Sequence, residues 1–104
     1  MKTITWQEYW DLSDEETENF TGILKKEDGT IQYFKNGSLH REDGPALIFH
    51  DGYEYYYQND ELHRLDGPAD IHPDGSCEYY IHNIKTSKEG LELYVSLLKL
   101  KSLI

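Results

Sequence analysis

The sequence predicts an α+β fold: an antiparallel β-meander of three hairpin repeats of about 23 residues, short N-terminal helices, and a C-terminal helix packed on the sheet. Three observations support this prediction. The phrase LHREDGPA at Leu39–Ala46 recurs 23 residues later as LHRLDGPA. Asp-Gly pairs recur at the same period between apolar and Tyr-rich runs. Capping-box patterns occur near both ends, and apolar residues repeat at helical spacing near the C-terminal end. We expect residues 1–104 to form one domain.

The first 20 residues are expected to contain one or two short helices between Trp6 and Phe20. Thr5 and Ser13 are candidate N-caps, and Glu16 follows Ser13 at the spacing of a capping box. These helices would carry three aromatic residues toward the sheet: Trp6, Tyr9 and Trp10.

Residues 21–83 align as three rows. Their Asp-Gly pairs coincide at Asp28-Gly29, Asp51-Gly52 and Asp74-Gly75, and their tyrosines coincide at Tyr33, Tyr56 and Tyr79. Asp-Gly between two short runs is a strong hairpin signal, because Gly accepts the positive φ of a tight turn. Each second strand should end at residues that tolerate a left-handed backbone. These are Asn36-Gly37, Asn59-Asp60 and His82-Asn83.

The three rows therefore predict six strands of about five or six residues. Adjacent rings such as Tyr56 and Tyr57 point to opposite faces of a strand, so both faces of the sheet should carry aromatic residues. One C-terminal helix can cover only one face. The other face could be covered by the N-terminal segment, or by a second copy of the chain in a homodimer.

Residues 84–104 are predicted to form the C-terminal helix, with Thr86 and Glu89 as a capping box. Two apolar stripes repeat at helical spacing. The first comprises Leu91, Tyr94, Val95 and Leu98, and the second comprises Leu93, Leu97, Leu100 and Ile104. Such a wide apolar arc suits a helix that lies across a sheet.

The charge of the chain restricts its partners. Ten Lys and Arg against twenty Asp and Glu give a net charge of −10, which repels nucleic acid and anionic membrane and attracts basic proteins. Cys77 is the single cysteine, so it makes no disulfide framework, and we expect a small buried side chain there. The absence of a signal-type or membrane-length apolar run predicts a cytoplasmic location.

The repeated His-Arg-x-Asp has two interpretations. As a site, His40, Arg41 and Asp43, together with His63, Arg64 and Asp66, would supply general acid–base groups or metal ligands. As structure, Asp-Gly-Pro is turn chemistry, and Arg41 and Asp43 can pair bidentately across the turn. The structural interpretation is favoured because each repeat needs a turn that connects it to the next repeat.

The histidine spacings match no compact metal motif, and surface or turn positions are expected for these side chains. His40 and His63 could stack at sheet spacing between adjacent units. The sequence predicts no enzyme, no catalytic residue, no cofactor and no metal.

The phrases LHREDGPA and LHRLDGPA, with DGYEYYYQND between them, resemble MORN-like repeat variants found in uncharacterised bacteriophage proteins. The resemblance covers Asp28 to Asn83. Tyr or Phe replaces the usual Trp at the aromatic position, and Asp60 and Asn83 replace Gly. The resemblance implies an array of antiparallel hairpins, protein binding and no catalytic residues.

The function predicted from these features is that of a small acidic inhibitor of a host nucleic-acid-handling or defence complex, of anti-CRISPR or anti-restriction type, that imitates nucleic acid. The alternatives are a phage accessory enzyme or metal-dependent protein that uses His-Arg-x-Asp, and a self-assembling structural repeat. The predicted partner is a protein with a basic nucleic-acid-binding surface. The predicted contact residues are exposed tyrosines at Tyr53, Tyr55, Tyr57 and Tyr80, and an acidic run of Asp14, Glu15, Glu16 and Glu18.

Overall fold

The structure, a computed structural model, describes residues 2–101 and confirms the α+β class. Its strands are β1 (Thr3–Thr5), β2 (Gly22–Lys25), β3 (Ile31–Lys35), β4 (Ser38–Leu39), β5 (Leu47–Ile48), β6 (Glu54–Tyr55), β7 (Tyr57–Gln58), β8 (Glu61–Leu62), β9 (Asp70–Ile71), β10 (Cys77–Ile81) and β11 (Ile84–Thr86). Its helices are α1 (Trp6–Trp10), α2 (Asp14–Glu18) and α3 (Lys88–Leu100).

The strands form one long sheet in the order β1-β2-β3-β5-β6-β9-β10-β11, with β4 also paired to β3. β7 and β8 form a separate two-stranded ribbon. The pairing is antiparallel except between β1 and β2, which are parallel. Neither strand β1 nor this parallel pairing was predicted. The radius of gyration is 15.3 Å, above the ~13 Å of a compact chain of this length, so the molecule is elongated, at 46 × 33 × 20 Å.

Asp-Gly turns join β2 to β3, β5 to β6, and β9 to β10, as the sequence predicts. The turn glycines Gly29, Gly52 and Gly75 have φ angles of +95°, +99° and +89°. Each donates its N–H to the carbonyl three residues earlier, at 3.0–3.1 Å. A side chain would be strained at each of these positions.

In a second set of turns, the left-handed residues were predicted but the strands that follow them were not. The residue pairs that begin at Asn36, Asn59 and His82 do adopt positive φ, but each leads into a further strand: β4, β8 or β11. The described residues therefore contain eleven strands of two to five residues, and the prediction of six longer strands is wrong. In the middle row the second strand is interrupted at Tyr56. The N–H of Tyr56 still bonds to Ala69 O in the long sheet, whereas Tyr57 pairs with Leu62 in the two-stranded ribbon.

The N-terminal segment confirms the two predicted helices. Thr5 and Ser13 cap α1 and α2, each with the reciprocal bond of a capping box. Trp6 and Tyr9 pack on a core of Ile4, Phe20 and Leu24. Trp10 does not reach this core: its side chain is 67% exposed, although it meets Trp6 edge to face.

The C-terminal helix begins later than predicted. Thr86 belongs to β11, where it pairs with Tyr79, so the N-cap is Ser87, which accepts a bond from Gly90 N at 3.0 Å. The proposed capping box of Thr86 and Glu89 is therefore wrong. On α3, Leu91 is buried and Tyr94, Val95 and Leu98 are half-buried, whereas Leu93, Leu97 and Leu100 are exposed. Ile104 lies outside the described residues.

The two ends of the sheet are covered on opposite faces. Residues that face each other across neighbouring strands share a face. Such pairs link Leu24, Gln32, Leu47, Tyr55, Asp70 and Glu78 in one row. The N-terminal helices cover this face at Leu24. Leu91 and Val95 of α3 lie beside Tyr79, which points to the other face. The row is thus left open from Leu47 to Glu78.

Within residues 2–101, no helix has both the length and the apolar character of a membrane span.

The position of the α3 cap is testable by substitution. Ser87→Ala should lower the free energy of unfolding by about 1 kcal/mol, because the N–H of Gly90 loses its acceptor. Ser87→Thr keeps a hydroxyl and should retain most of the stability. Urea denaturation monitored by circular dichroism measures both. If Thr86→Ala lowers the free energy of unfolding more than Ser87→Ala does, Thr86 rather than Ser87 is the N-cap of α3.

Candidate functional site

The arginines of the repeated phrase form hydrogen bonds within their own turns. Arg64 donates from Nε to Asp66 Oδ1 at 2.8 Å and from Nη1 to Pro68 O at 3.1 Å. Its guanidinium carbon lies 4.0 Å from the ring centroid of Tyr56. Arg41 makes the matching contacts with Asp43, Pro45 and Tyr33. The predicted bidentate pair is wrong, because the second donor of each arginine goes to a backbone carbonyl.

The glycine of the phrase leaves room for this arginine. A Cβ on Gly67 would lie 2.8 Å from Arg64 Cζ, and one on Gly44 would lie 2.9 Å from Arg41 Cζ. The corresponding stretch at the end of the array reads IKTSKEG, where Ser87 replaces arginine. There the chain starts α3 instead of repeating the turn.

The histidines of the phrase tie each row to the next. His40 Nδ1 accepts from Asn59 N at 3.1 Å, and His63 Nδ1 accepts from His82 N at 3.0 Å. His40 is buried, so the expectation of a surface position is wrong for it. His63 stacks on His82 with ring centroids 4.1 Å apart, rather than on His40. Leu39 and Leu62 extend these junctions with backbone bonds to Asp60 and Asn83.

The state of His63 is fixed by its surroundings. Burial lowers the pKa of His63, and the neighbouring His82 lowers it further, against a smaller opposing effect of Glu61. The unprotonated Nδ1 is the form that accepts the N–H of His82. A neutral His63 therefore holds this junction together.

One arrangement resembles a nucleophilic triad. Ser76 Oγ lies 3.0 Å from His72 Nδ1, and His72 Nε2 lies 3.1 Å from Asp70 Oδ1. The hydroxyl of Ser76, however, donates to Asp74 Oδ1 at 2.6 Å. The N–H groups of Ser76, Gly75 and His72 are donated within the same turn. The N–H and O–H donors of this turn therefore bond to its own backbone and to Asp74, and they do not form an oxyanion hole.

The described residues 2–101 contain no group of three or more His, Cys, Asp or Glu side chains placed to hold a metal ion. Cys77 is exposed at the start of β10, so the expectation of a buried thiol is wrong.

Tyr55 belongs to the open row, and Tyr53, Tyr57 and Tyr80 lie two residues along the chain from its members Tyr55 and Glu78. We call this surface, with Asp70, the tyrosine face. Tyr55 faces Asp70 across the strands, and the ring of Tyr53 lies beside that of His72, tilted by 47°, with ring centroids 5.1 Å apart. Tyr80 donates to Glu78 Oε2 at 3.1 Å. All four tyrosines are half-buried rather than freely exposed, and Tyr55 also meets Phe49 edge to face.

The four predicted acidic residues lie together on the exposed helix α2: Asp14, Glu15, Glu16 and Glu18. We call residues 6–18, which contain α1 and α2, the acidic cap. The backbone N–H of Ser13 lowers the pKa of Glu16 by its hydrogen bond, and the Ser13 hydroxyl lowers it further. The acidic cap and the tyrosine face share one side of the sheet but occupy different parts of it.

Two residues of interest were missed in the sequence. Asp70 is buried in the tyrosine face, at the place where the first two rows have Leu24 and Leu47. That departure from the apolar pattern was the available signal. Trp10 gave no such signal, because its exposure depends on how α1 turns over the core.

Comparison with known proteins gives no match: no family model fits the chain, and no curated protein or solved structure is detectably similar to it.

The contact between Arg64 and Gly67 predicts non-additive stability changes. Gly67→Ala should destabilise the wild type, because the added Cβ displaces the guanidinium, but should cost less when Arg64→Ala has removed that group. We expect a coupling energy of about 1 kcal/mol from urea denaturation of the double-mutant cycle. Pairing Gly67→Ala with Arg41→Ala, at the other junction, is the matched control and should be additive. Additivity in both pairs would contradict the steric interpretation.

The lowered pKa of His63 predicts a loss of stability in weak acid. Its contribution is complete above the pKa of the unfolded chain, about 6.5, and is lost as the pH falls below that value through the lower pKa of the folded state. The unfolding free energy of wild type should therefore fall more steeply between pH 7.5 and 5 than that of His63→Gln. Parallel curves for the two proteins would show that His63 does not titrate as proposed.

Proposed function

We propose that the chain is a non-enzymatic protein-binding module that inhibits a host nucleic-acid-handling or defence complex. The acidic cap contacts the basic, nucleic-acid-binding surface of its partner. The observation that carries this proposal is the concentration of negative charge on two short helices at one end of an elongated sheet.

The acidic cap contains no basic residue of its own. Residues 6–18 contain six acidic residues and no Lys or Arg: Glu8, Asp11, Asp14, Glu15, Glu16 and Glu18. Every one of these side chains belongs to an exposed residue. A concentrated field of one sign accelerates association with a surface of the opposite sign, and salt screens it.

An exposed tryptophan gives this charge an anchor. Trp10 is 67% exposed and is held edge to face by Trp6, with ring centroids 5.3 Å apart. A rigid tryptophan among charged residues is the composition typical of an interface hot spot. Lys26 lies 4.6 Å from the centroid of the Trp6 ring and fixes the base of this pair.

The non-enzymatic part of the proposal rests on the contacts of the repeated phrase. Arg41 and Arg64 are bonded within their own turns, and His40 and His63 are bonded to the next row. These groups are therefore committed to structure. The resemblance to MORN-like repeats of bacteriophage proteins supports a host target in the bacterial cytoplasm, for which a CRISPR effector or a restriction enzyme is the analogy.

The test begins with capture of a partner from a bacterial host lysate and its identification by mass spectrometry. A partner that binds nucleic acid is expected, and DNA or RNA should compete with the chain for it. The combined Glu15→Gln, Glu16→Gln and Glu18→Gln variant should bind this partner at least 10-fold more weakly at low salt. The Gln oxygen at position 16 still accepts the Ser13 N–H, so the helix remains capped.

A second triple variant controls for total charge. Glu27→Gln, Glu89→Gln and Glu92→Gln remove the same number of charges from exposed positions outside the acidic cap. This variant should keep near wild-type affinity. If both triple variants bind equally, or if the recovered partner has no affinity for nucleic acid, the proposed mimicry is wrong.

A further inference from the structure

The tyrosine face contains a buried carboxylate where the repeat pattern has leucine. Asp70 is 8% exposed and lies in the middle of the sheet, between Tyr55 of β6 and Glu78 of β10. Leu47 and Leu24 hold the corresponding positions one and two periods earlier. A carboxylate taken out of water is costly unless a partner compensates it.

The compensation inside the chain is incomplete. The Oδ1 atom of Asp70 is shielded from solvent, and no donor among residues 2–101 forms a hydrogen bond with it. His72 Nε2 lies 3.1 Å away, but its N–H is not directed at that oxygen, and His72 also contacts Ser76. The nearby Lys85 is paired with Glu78 at 3.1 Å. Asp70 therefore retains the capacity to bind a cation.

The surroundings of Asp70 are aromatic and polar. Burial raises the pKa values of the Tyr55, Tyr57 and Tyr80 hydroxyls, and the charge of Asp70 raises them further: it is the next effect at Tyr55, but ranks below Asp60 at Tyr57 and below Glu78 at Tyr80. These phenols therefore stay protonated at neutral pH and can donate. The faces of their rings attract cations, and the rings are half-buried.

We propose that Asp70, with Tyr55, Tyr57 and Tyr80, receives a lysine or arginine side chain from a protein partner. The aliphatic stem packs on the rings, and the cationic head lies at the exposed edge of the Asp70 carboxyl group, whose side chain is 11% exposed. The inference rests on the proposed function in that the partner is a basic protein. It adds a second recognition site, separate from the acidic cap. Charge complementarity with a chain of net charge −10 favours this occupant.

The competing explanation is that Asp70 is kept for stability. The two explanations predict opposite effects of Asp70→Leu, which restores the residue type of the first two rows. If Asp70 serves binding, the leucine should raise Tm by about 4 °C or more, because it removes a poorly compensated buried charge. A lowered Tm would overturn the binding role.

Binding is measured with defined probes. The first is an acetylated and amidated glycine-serine peptide with one central lysine; others carry arginine or norleucine at that position. Lysine or arginine peptide should cause saturable NMR shifts at the amides of Asp70, Tyr55 and Tyr80, and the norleucine peptide should not. Asp70→Asn keeps the shape of the side chain and should weaken binding at least 10-fold. Equal binding of the norleucine peptide, or by Asp70→Asn, would overturn the proposal.

The triple Gln variant of the acidic cap separates this inference from the proposed function. It should bind the lysine peptide as wild type does, since its substitutions lie outside the tyrosine face. Peptide binding without any nucleic-acid-handling partner would refute only the proposed function. A confirmed partner with no peptide binding at Asp70 would refute only this inference.

Discussion

The guanidinium groups of Arg41 and Arg64 organise the middle of the molecule. Each is held above a tyrosine ring, bonded to an aspartate two residues on and bonded to a proline carbonyl. One side chain thereby fixes a turn, a strand and the start of the next strand. Where arginine is replaced by Ser87, the same stretch of chain becomes the beginning of a helix. The hairpin of the third row, β9–β10, forms without this arginine, so the difference lies in the stretch that follows each hairpin.

Much of the local structure could be predicted because it is encoded in short segments. Thr5 and Ser13 form their capping boxes as expected, and the Asp-Gly turns form the three hairpins. The cap of α3 could not be assigned in this way, because Thr86 is drawn into β11 by its pairing with Tyr79. The strands β4 and β8 were missed for a similar reason: two residues give no periodic signal, and their partners are set by the turn.

The candidate site was predicted in composition better than in geometry. The four tyrosines do share a surface, because alternation along a strand and the period of the rows both act on them. Their partial burial follows from contacts between neighbouring strands, which a single row does not reveal. Asp70 could have been recognised by comparing rows, but its lack of a hydrogen-bonding partner depends on the directions of His72 and Lys85.

The junctions between rows have a consequence for how such a chain can change in length. The bond from His82 N to His63 Nδ1 repeats the bond from Asn59 N to His40 Nδ1, and the flanking aspartate and asparagine bonds repeat as well. A duplicated 23-residue segment inserted between them would meet the same donors and acceptors on both sides. Each inserted repeat would therefore lengthen the sheet by the same amount. It would move the acidic cap farther from α3 without requiring a new kind of contact.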